Sequence, residues 1–328
     1  MNVTGRVFDS TSHLPQSLKG GVVAIGNFDG VHRGHQAVLD EASAIAGGLG
    51  VKVNVLTFEP HPRSLFRPQE PVCRLTPAPM KARILGMLGV EAVYEQRFDK
   101  EFAARSASDF ISEVLVGQLG AAHIVTGYDF RFGKGREGDT DMLVHAGRES
   151  GFGVTLAPAF RDEGGEVISS TRIRSALAAG DTAGAAGLLG YRHAVEGEII
   201  HGKKLGRTLG FPTANMALPP ATNLKPGIYA VRLRRADGTL HDGVASFGRR
   251  PTVDEPDAPL LLETFVFDAS PDLYGETCTV SLFGYLRPEI RFDGLDPLVE
   301  QMKRDEAEAR ALLAGVAPLS ALDRELNF

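Results

Sequence analysis

Hydrophobic and polar positions divide the first half of the chain into short apolar runs that alternate with amphipathic segments. The runs are rich in β-branched residues and too short for helices, so each predicts a buried strand. The predicted strands are residues 22–25, 51–57, 92–95, 123–126 and 154–157. The predicted helices are residues 36–46, 79–88, 107–119 and 140–149, the last with Asp139 as its N-cap. This alternation indicates a doubly wound α/β domain with a mostly parallel sheet.

The pattern changes after the small-residue stretch of residues 178–189. The runs that follow are strand-like and separated by Gly, Pro, Asn and Asp, without helices between them. The predicted strands are residues 194–200, 227–234, 240–247, 260–267 and 277–286. A small antiparallel β-barrel is expected, because a closed barrel leaves no open sheet edge. Strong helix formers in residues 297–313 predict a C-terminal helix that caps the barrel.

This change of pattern places a domain boundary near Gly190. The predicted domains are residues 1–187 and 188–328. A chain of 328 residues exceeds what one hydrophobic core usually organises, which agrees with two domains.

Composition and charge narrow the class of protein. A hydrophobic content of 43% is ordinary for a soluble globular protein, and a net charge of -6 gives no basic field for a nucleic acid. Cys73 and Cys278 lie far apart and outside any CxxC pattern, so a disulfide framework or zinc site lacks support. Neither a signal peptide nor a membrane-spanning segment is indicated. We expect a cytoplasmic protein with small-molecule substrates and no nucleic-acid or membrane partner; a homo-oligomer is left open.

The segment GNFDGVHRGHQ, residues 26–36, follows the first buried strand directly and leads into the first helix. Gly26, Gly30 and Gly34 permit close approach of the backbone to a ligand, and the helix N-terminus offers unpaired N–H groups. His32 and His35 can add side-chain donors. These features favour a triphosphate site. A metal site ranks lowest, because Cys and carboxylate partners at useful spacing are lacking.

A second phosphate-binding segment is GKKLGRTLGFPTAN, residues 202–215. Its glycines, with Lys203, Lys204 and Arg207, are typical of a cationic phosphate loop. Thr213 and Asn215 offer a hydroxyl and an amide to a hard cation. Taken alone, PTAN is also typical of a simple turn. Farther on, Glu263 lies inside the apolar run LLLETFVFD, where a carboxylate must be paired, solvated at an edge, or functional.

Four motifs in the first domain resemble known signatures. HRGH (residues 32–35) and ISSTRIR (168–174) resemble the two signatures of the nucleotidyltransferase superfamily. TFEPHPR (57–63) and GYDFRFGKGREGD (127–139) narrow the resemblance to the FMN adenylyltransferase half of bacterial bifunctional FAD synthetases. The resemblance implies a Rossmann-like nucleotidyltransferase fold with His32 and His35 as catalytic residues. The implied ATP-binding residues are Gly26, Asn27, Asp29, Gly34, Ser170, Thr171 and Arg174. The implied flavin-binding residues are Phe58, Arg63, Asp129 and Phe132, of which Phe58 and Phe132 are also typical of core residues.

The second domain resembles riboflavin kinases along its whole length. GKKLGRTLGFPTAN is followed, in that family's order, by SFGRRPT, LETFVFD, DLYGE and YLRPE. The resemblance implies a six-stranded barrel in which Thr213 and Asn215 hold Mg²⁺ with ATP, Glu263 is the catalytic base and Arg287 contacts the flavin. The implied ATP-binding residues are Gly202, Lys203, Gly206, Arg207, Thr213 and Asn215.

Together the motifs predict an enzyme that phosphorylates riboflavin to FMN and adenylylates FMN to FAD, with Mg²⁺ and ATP. One alternative is an HxGH-type ligase that acts on tRNA, against which the acidic charge and the absence of a KMSKS-like loop both count. The other is a flavin-binding protein with one activity or none. A non-catalytic sensor predicts a missing catalytic side chain, yet His32, His35 and Arg174 are present, as are Thr213, Asn215 and Glu263.

Overall fold

The computed structural model describes residues 6–12, 14–202, 210–249, 259–269 and 272–328. The chain divides into two compact units, Met1–Ser169 and Ser170–Phe328. The boundary between the two units, after Ser169, lies earlier in the sequence than the expected domain boundary at residue 188. The expected boundary stays a prediction. Among the described residues, no helix combines the length and the apolar character that crossing a membrane requires.

The first unit is built on a parallel sheet with the strand order β1-β4-β3-β2-β5-β6. Its strands are β1 (Arg6–Phe8), β2 (Val22–Ile25), β3 (Val53–Glu59), β4 (Ala92–Arg97), β5 (His123–Gly127) and β6 (Gly153–Ala157). Strands β2 to β6 confirm the five predicted strands. Strand β1 escaped prediction because it is three residues long and half exposed, so it lacks a buried run.

Helices connect these strands. They are α1 (Arg33–Leu49), α2 (Pro62–Phe66), α3 (Ala78–Met87), α4 (Lys100–Ala103), α5 (Ala107–Asp109) and α6 (Thr140–Ser150), with a π-helix at Phe110–Gln118 and short 3₁₀ turns at Gln16–Leu18 and Lys134–Arg136. Helices α1, α3 and α6 confirm three of the predicted helices, and α5 together with the π-helix confirms the fourth, of residues 107–119. The predicted N-cap of α6 is also confirmed, since Asp139 accepts the backbone N–H of Met142 at 2.9 Å.

The strand order creates a switch point beside β2. Strands β3 and β4 lie on one side of β2, whereas β5 and β6 lie on the other. In such sheets, ligands bind outside the carboxyl ends of the strands where the order reverses. The loops that follow β2 and β5 carry the motifs of residues 26–36 and 127–139, so the fold brings both motifs to this edge.

The second unit contains a closed antiparallel barrel with the strand order β10-β11-β8-β7-β12-β9. Its strands are β7 (Ala194–Ile200), β8 (Thr213–Leu218), β9 (Gly227–Arg234), β10 (Leu240–Arg249), β11 (Leu260–Val266) and β12 (Thr277–Arg287). Five strands confirm the predictions from periodicity. The sixth, β8, begins at Thr213, so the end of the PTAN segment is a strand and not a turn.

Side chains alternate between the two faces of the barrel wall. Tyr229, Val231 and Leu233 are fully buried on one face of β9, while Ile228, Ala230 and Arg232 lie on the other face. A long helix, α9 (Leu295–Ala314), packs against β9, β10 and β12, with Ala309 and Leu313 in the apolar contact. Among the described residues of this unit, the other helices are α7 (Ser170–Ala179), α8 (Thr182–Leu189) and α10 (Ala321–Asn327).

Two candidate active sites

The first candidate site is the loop between β2 and α1. Phe28, Gly30 and Val31 all have positive φ, at 49°, 89° and 36°. This conformation is costly for Phe28 and especially for the β-branched Val31, so surrounding contacts must hold it. Such contacts come from residues 75 and 76. The Gly30 N–H donates to Thr76 Oγ1 at 2.8 Å, and Asp29 Oδ1 accepts the backbone N–H groups of both residues.

The two predicted catalytic histidines lie together at the start of α1. His32 is the N-cap, and its Nδ1 accepts the backbone N–H of His35 at 3.3 Å. The two imidazole rings stack with their centroids 3.7 Å apart. Because Nδ1 of His32 is an acceptor, the ring hydrogen of its neutral form resides on Nε2. Nε2 can therefore donate a hydrogen bond to an anionic oxygen.

His35 is held neutral by its surroundings. Burial lowers the pKa of His35 well below its ordinary value, and the charges of His32 and Lys81 act in the same direction. Its Nδ1 is buried and has no hydrogen-bond partner among the residues that the structure describes, and its ring lies with its centroid 5.0 Å from that of Phe28. A neutral imidazole at a helix N-terminus can donate to a phosphate without adding a second buried charge.

Two glycines make room for these rings. A Cβ on Gly34 would lie 3.2 Å from Cε1 and Nδ1 of His32, and one on Gly26 would lie 3.3 Å from Cε2 of Phe28. Both distances are shorter than an ordinary van der Waals contact. The absence of a side chain at Gly34 therefore lets the His32 ring lie against the first turn of α1.

Two further predicted ATP-binding residues, Asn27 and Asp29, differ in their exposure to solvent. Asn27 is exposed, and its carbonyl oxygen accepts the Thr57 hydroxyl at 3.0 Å. Asp29 is only 1% exposed. Its carboxylate contacts residues 74–76 and braces the loop. A contact between Asp29 and ATP stays a prediction.

The second nucleotidyltransferase signature forms the start of α7. Ser170 and Thr171 are the first two residues of the helix, and Arg174 is four residues after Ser170 on the same face. Thr171 is exposed, whereas Ser170 and Arg174 are half-buried. Helix α7 belongs to the second compact unit. An approach of these three side chains to the histidines stays a prediction.

The predicted flavin contacts of the first domain separate into buried and exposed residues. Phe58 and Phe132 are 9% and 7% exposed, and both belong to the apolar core. Arg63 on α2 and Asp129 after β5 are exposed. Phe66 was not predicted as a site residue; it is 67% exposed, and its ring centroid lies 6.1 Å from that of Phe98, which also contacts Phe58. The flavin contacts of all four predicted residues stay predictions.

A buried group of charged side chains lies under the first site and was not predicted from the sequence. The Lys81 ammonium donates to Thr57 Oγ1 at 3.0 Å and to Glu59 Oε1 at 2.6 Å. Arg74 binds both carboxylate oxygens of Glu59 at 2.7 Å. Burial alone would raise the pKa of Glu59, but the hydrogen bonds from Arg74 and Lys81 hold it below its ordinary value.

The second candidate site is a row of polar residues across the barrel wall. Asn215 on β8 pairs with Glu263 on β11, and Glu263 pairs with Ser246 on β10. Residues paired across neighbouring strands point to the same side of the sheet, so the three side chains share one face. Thr213, two residues before Asn215, lies on that face too. Asn215 is 4% exposed, and its Nδ2 donates to the Thr213 carbonyl at 3.2 Å.

A cavity of about 250 Å³ lies on this face, between the barrel wall and α9. Its apolar lining is rich in aromatic and long aliphatic side chains, and its polar lining includes carboxylates and a guanidinium. The apolar residues include Phe211, Ile228, Phe265, Phe292, Leu298 and Met302; the polar residues are Thr213, Ser246, Glu263, Arg287, Glu289 and Asp305. An apolar cavity with a few oriented polar groups is typical of a small-molecule site.

The predicted flavin-binding Arg287 is fixed at the edge of this cavity. Its guanidinium binds Asp305 of α9 through Nε at 2.7 Å and Nη2 at 2.6 Å, and so ties the end of β12 to the helix. Glu289 was not predicted. Burial raises the pKa of Glu289; a hydrogen bond from Ser246 opposes this effect and the charge of Glu263 adds to it.

The predicted phosphate loop is described only in part. Gly202 approaches Asn215 closely, since a Cβ there would lie 2.5 Å from Asn215 Nδ2. A larger residue would push the Asn215 amide aside. Lys203, Gly206 and Arg207 lie outside the described residues, so their predicted contacts with ATP stay predictions.

The second site suits a magnesium ion that arrives with its nucleotide. Within the described ranges, no three His, Cys, Asp or Glu side chains converge as a metal site. Thr213 and Asn215 instead present a hydroxyl and an amide oxygen on the face that carries Glu263. Mg²⁺ binds few protein oxygens when substrate phosphates supply others, so this donor set fits the predicted ion.

Comparison with known proteins covers both sites. Residues 14–172 match the family model of FAD synthetase, and residues 189–313 match that of riboflavin kinase. The bifunctional riboflavin kinase/FMN adenylyltransferase of Escherichia coli (strain K12) is 43% identical over 313 residues, which are 95% of this chain and 98% of that protein. The chain belongs to this family. The protein of the same name from Bacillus subtilis (strain 168) is 37% identical over 292 residues, or 88% of this chain and 91% of that one.

Membership of the bifunctional riboflavin kinase/FMN adenylyltransferase family explains the presence of two different sites. The chain is an enzyme with both activities, and the order of its two domains follows from the two matches. This result favours the bifunctional hypothesis over the tRNA ligase and the single-activity alternatives. A crystal structure described as a macrolide-efflux protein from Streptococcus pneumoniae has the same fold. It is 31% identical, with a TM-score of 0.81 over 94% of this chain and 99% of that one.

Proposed function

We propose that the two steps use different chemistry at the two sites described above. In the second unit, the terminal hydroxyl of riboflavin attacks the γ-phosphorus of ATP and ADP leaves. Glu263 removes the proton from that hydroxyl. In the first unit, the loop of residues 26–35 aligns ATP so that a phosphate oxygen of FMN attacks the α-phosphorus and pyrophosphate leaves.

The kinase step requires a base because the terminal hydroxyl of the ribityl chain is neutral. Glu263 is suited to that role because it lines the cavity and lies in one row with Asn215 and Ser246. Thr213 and Asn215 would hold Mg²⁺, which when bound with ATP neutralises the charge that develops on the phosphates. Arg287 remains a predicted flavin contact at the edge of the same cavity.

The adenylyl-transfer step has no such requirement, because the attacking phosphate oxygen is already anionic. Alignment and stabilisation of charge on the triphosphate are sufficient. His32 offers Nε2–H, His35 is held neutral, and the N–H groups of the first turn of α1 point the same way as the helix dipole. Ser170, Thr171 and Arg174 are retained as predicted phosphate donors.

One contrast carries this assignment. A carboxylate lies in a polar row beside an apolar cavity at one site, whereas two stacked imidazoles, of which that of His35 is held neutral, lie at a helix N-terminus at the other. The net charge of -6 further favours free riboflavin, FMN and ATP as partners over a nucleic acid. A cytoplasmic location remains part of the proposal.

The proposal is tested by incubating the purified chain with riboflavin, ATP and Mg²⁺ and separating flavins and nucleotides by chromatography. We expect ADP to accompany the first product, FMN, and pyrophosphate to accompany the second, FAD. FAD formation from FMN and ATP should proceed when riboflavin is omitted. Formation of AMP with FMN, or of ADP with FAD, would contradict the assignment of the two steps.

A further inference from the structure

The buried ammonium of Lys81 is the least expected feature of the first unit. Lys81 lies on α3, and its side chain is 0% exposed. It reaches the last residues of β3, where it donates to Thr57 Oγ1 at 3.0 Å and to Glu59 Oε1 at 2.6 Å. Thr57 and Glu59 are two residues apart and therefore lie on the same face of β3.

Stability alone gives little reason for this lysine. Taking an ammonium out of water is costly, and replacing a buried ion pair by apolar residues is often neutral or stabilising. Glu59 also has a complete partner without Lys81, because Arg74 already binds both of its carboxylate oxygens at 2.7 Å. The carboxylate would therefore remain paired if Lys81 were apolar.

The hydrogen bonds around Thr57 have a fixed direction. An ammonium group can only donate, so Thr57 Oγ1 must accept from Lys81. The single hydroxyl hydrogen of Thr57 is then left to donate, and it donates to the Asn27 carbonyl at 3.0 Å. Two hydrogen bonds thus run in one direction, from Lys81 to Thr57 and from Thr57 to the Asn27 carbonyl, and end on the loop of the first site.

A second connection runs from the same cluster to the same loop. Arg74, which shares Glu59 with Lys81, also approaches Asp29 Oδ1 with its Nε at 3.5 Å. Asp29 is two residues after Asn27, and between them lies Phe28 with its positive φ of 49°. The strained part of the loop is therefore held on both sides by residues that meet at Glu59.

We propose that Lys81 is a positioning residue for adenylyl transfer, which acts through Thr57 to hold the loop of residues 27–30 in its ligand-binding conformation. This inference rests on the proposed assignment of that loop to ATP. Lys81 itself does not contact the substrate; its ammonium fixes the orientation of the Thr57 hydroxyl, which in turn fixes the backbone before His32. The donors at the start of α1 are then aligned before ATP arrives.

The test compares Lys81→Met, Thr57→Val and the double variant in the full-length chain. We expect each single variant to lower kcat for FAD formation from FMN and ATP by roughly 10-fold to 100-fold, the usual range for loss of alignment by a supporting residue. The KM for FMN should change by less than about threefold, since binding of the flavin is not involved. The double variant should be no slower than the slower single variant, because both remove the same connection.

Matched variants separate this role from a general loss of folding. Thr57→Ser keeps the hydroxyl and should retain kcat, whereas Thr57→Val, of almost the same size, should not. Lys52→Met removes an exposed lysine before the opposite end of β3 and should have no effect. Riboflavin kinase activity of each preparation should be unchanged. Thr57→Val and Thr57→Ser also decide the question if Lys81→Met does not fold.

Three results would overturn the inference. They are a normal kcat in folded Lys81→Met, equal kcat values for Thr57→Ser and Thr57→Val, and losses that multiply in the double variant. His35→Ala, assayed alongside, distinguishes the role of Lys81 from the assignment of the loop to ATP. If His35→Ala loses FAD formation while Lys81→Met keeps it, the proposed role of Lys81 is wrong and the assignment of the loop to ATP still holds. If His35→Ala also keeps FAD formation, the assignment of the loop to ATP is wrong.

Discussion

The imidazole rings of His32 and His35 stack 3.7 Å apart, and Nδ1 of His32 accepts the backbone N–H of His35. This arrangement requires Nδ1 of His32 to act as an acceptor, so a single tautomer both caps α1 and carries the ring hydrogen on Nε2. The hydrogen bond between His32 and His35 therefore serves two purposes. It stabilises the N-terminus of α1, and it leaves a ring hydrogen of His32 for an anionic ligand.

Removal of the second imidazole should abolish one activity and spare the other. In His35→Ala, we expect FAD formation to fall by about 100-fold or more, the usual cost of losing one donor to transition-state charge. FMN formation should be unchanged, because the kinase residues lie in the other compact unit. The measurement is the initial rate of each step with its own substrate. His145→Ala, at an exposed position of α6, is the control. Equal losses of both activities in His35→Ala would contradict the assignment.

A methyl group on Gly34 should displace the His32 ring. Its Cβ would lie 3.2 Å from two ring atoms of His32, so the ring must shift by a few tenths of an ångström, which disturbs its 3.3 Å hydrogen bond to the His35 N–H. We expect Gly34→Ala to lower kcat/KM for FAD formation by roughly tenfold to 100-fold, the size of effect that small misplacements produce. Gly47→Ala in the same helix is the control, since a Cβ there meets no atom within 4 Å. Equal kinetics for the two variants would argue against a role for the His32 position.

The lowered pKa of His35 predicts an acid-sensitive helix N-terminus. Because the pKa of His35 is lowered in the folded state, the unfolded chain binds the proton more readily. The contribution of neutral His35 to the stability of the folded chain is therefore complete above the pKa of His35 in the unfolded chain, near 6.5. It is lost progressively as the pH falls below that value. Amide hydrogen exchange of α1 should show falling protection between about pH 6.5 and pH 5. His35→Gln should make the protection of α1 almost independent of pH over this range. An unchanged pH dependence in this variant would show that other groups cause it.

Glu263 should be required for phosphorylation and dispensable for adenylyl transfer. In Glu263→Gln, we expect riboflavin phosphorylation to fall by roughly 10²–10⁴-fold, the usual contribution of a general base. FAD formation from supplied FMN should be unaffected. Glu308→Gln, at an exposed position of α9, controls for the loss of a charge in the same unit. Unchanged kinase turnover in Glu263→Gln would remove this carboxylate from the mechanism.

Periodicity located the longer elements because each buries one face or a whole apolar run. It could not find β1, which is short and half exposed, and it did not separate β8 from the glycine-rich segment before it. Burial of Phe58 and Phe132 also followed from packing against Phe98, Phe102 and Phe110, which no local pattern reveals.

The histidine pair was predictable because it follows a strand and starts a helix within one short motif. The Lys81 cluster was not, because Lys81 lies 24 and 22 residues from Thr57 and Glu59 and meets them only when α3 packs against the sheet. Glu289 is similar, since it lies 43 residues from Ser246 and approaches it only when β12 pairs with β9 and β9 with β10.

The separation of the two activities is tested most directly by mixing two variants that each lack one step. His35→Ala should convert riboflavin only to FMN, and Glu263→Gln should convert only FMN to FAD. Supplied with riboflavin, ATP and Mg²⁺, either variant alone should make almost no FAD, whereas the mixture should accumulate FAD after a lag in which FMN appears. A mixture that makes FMN but no FAD, although Glu263→Gln adenylylates added FMN, would contradict two sites that operate independently.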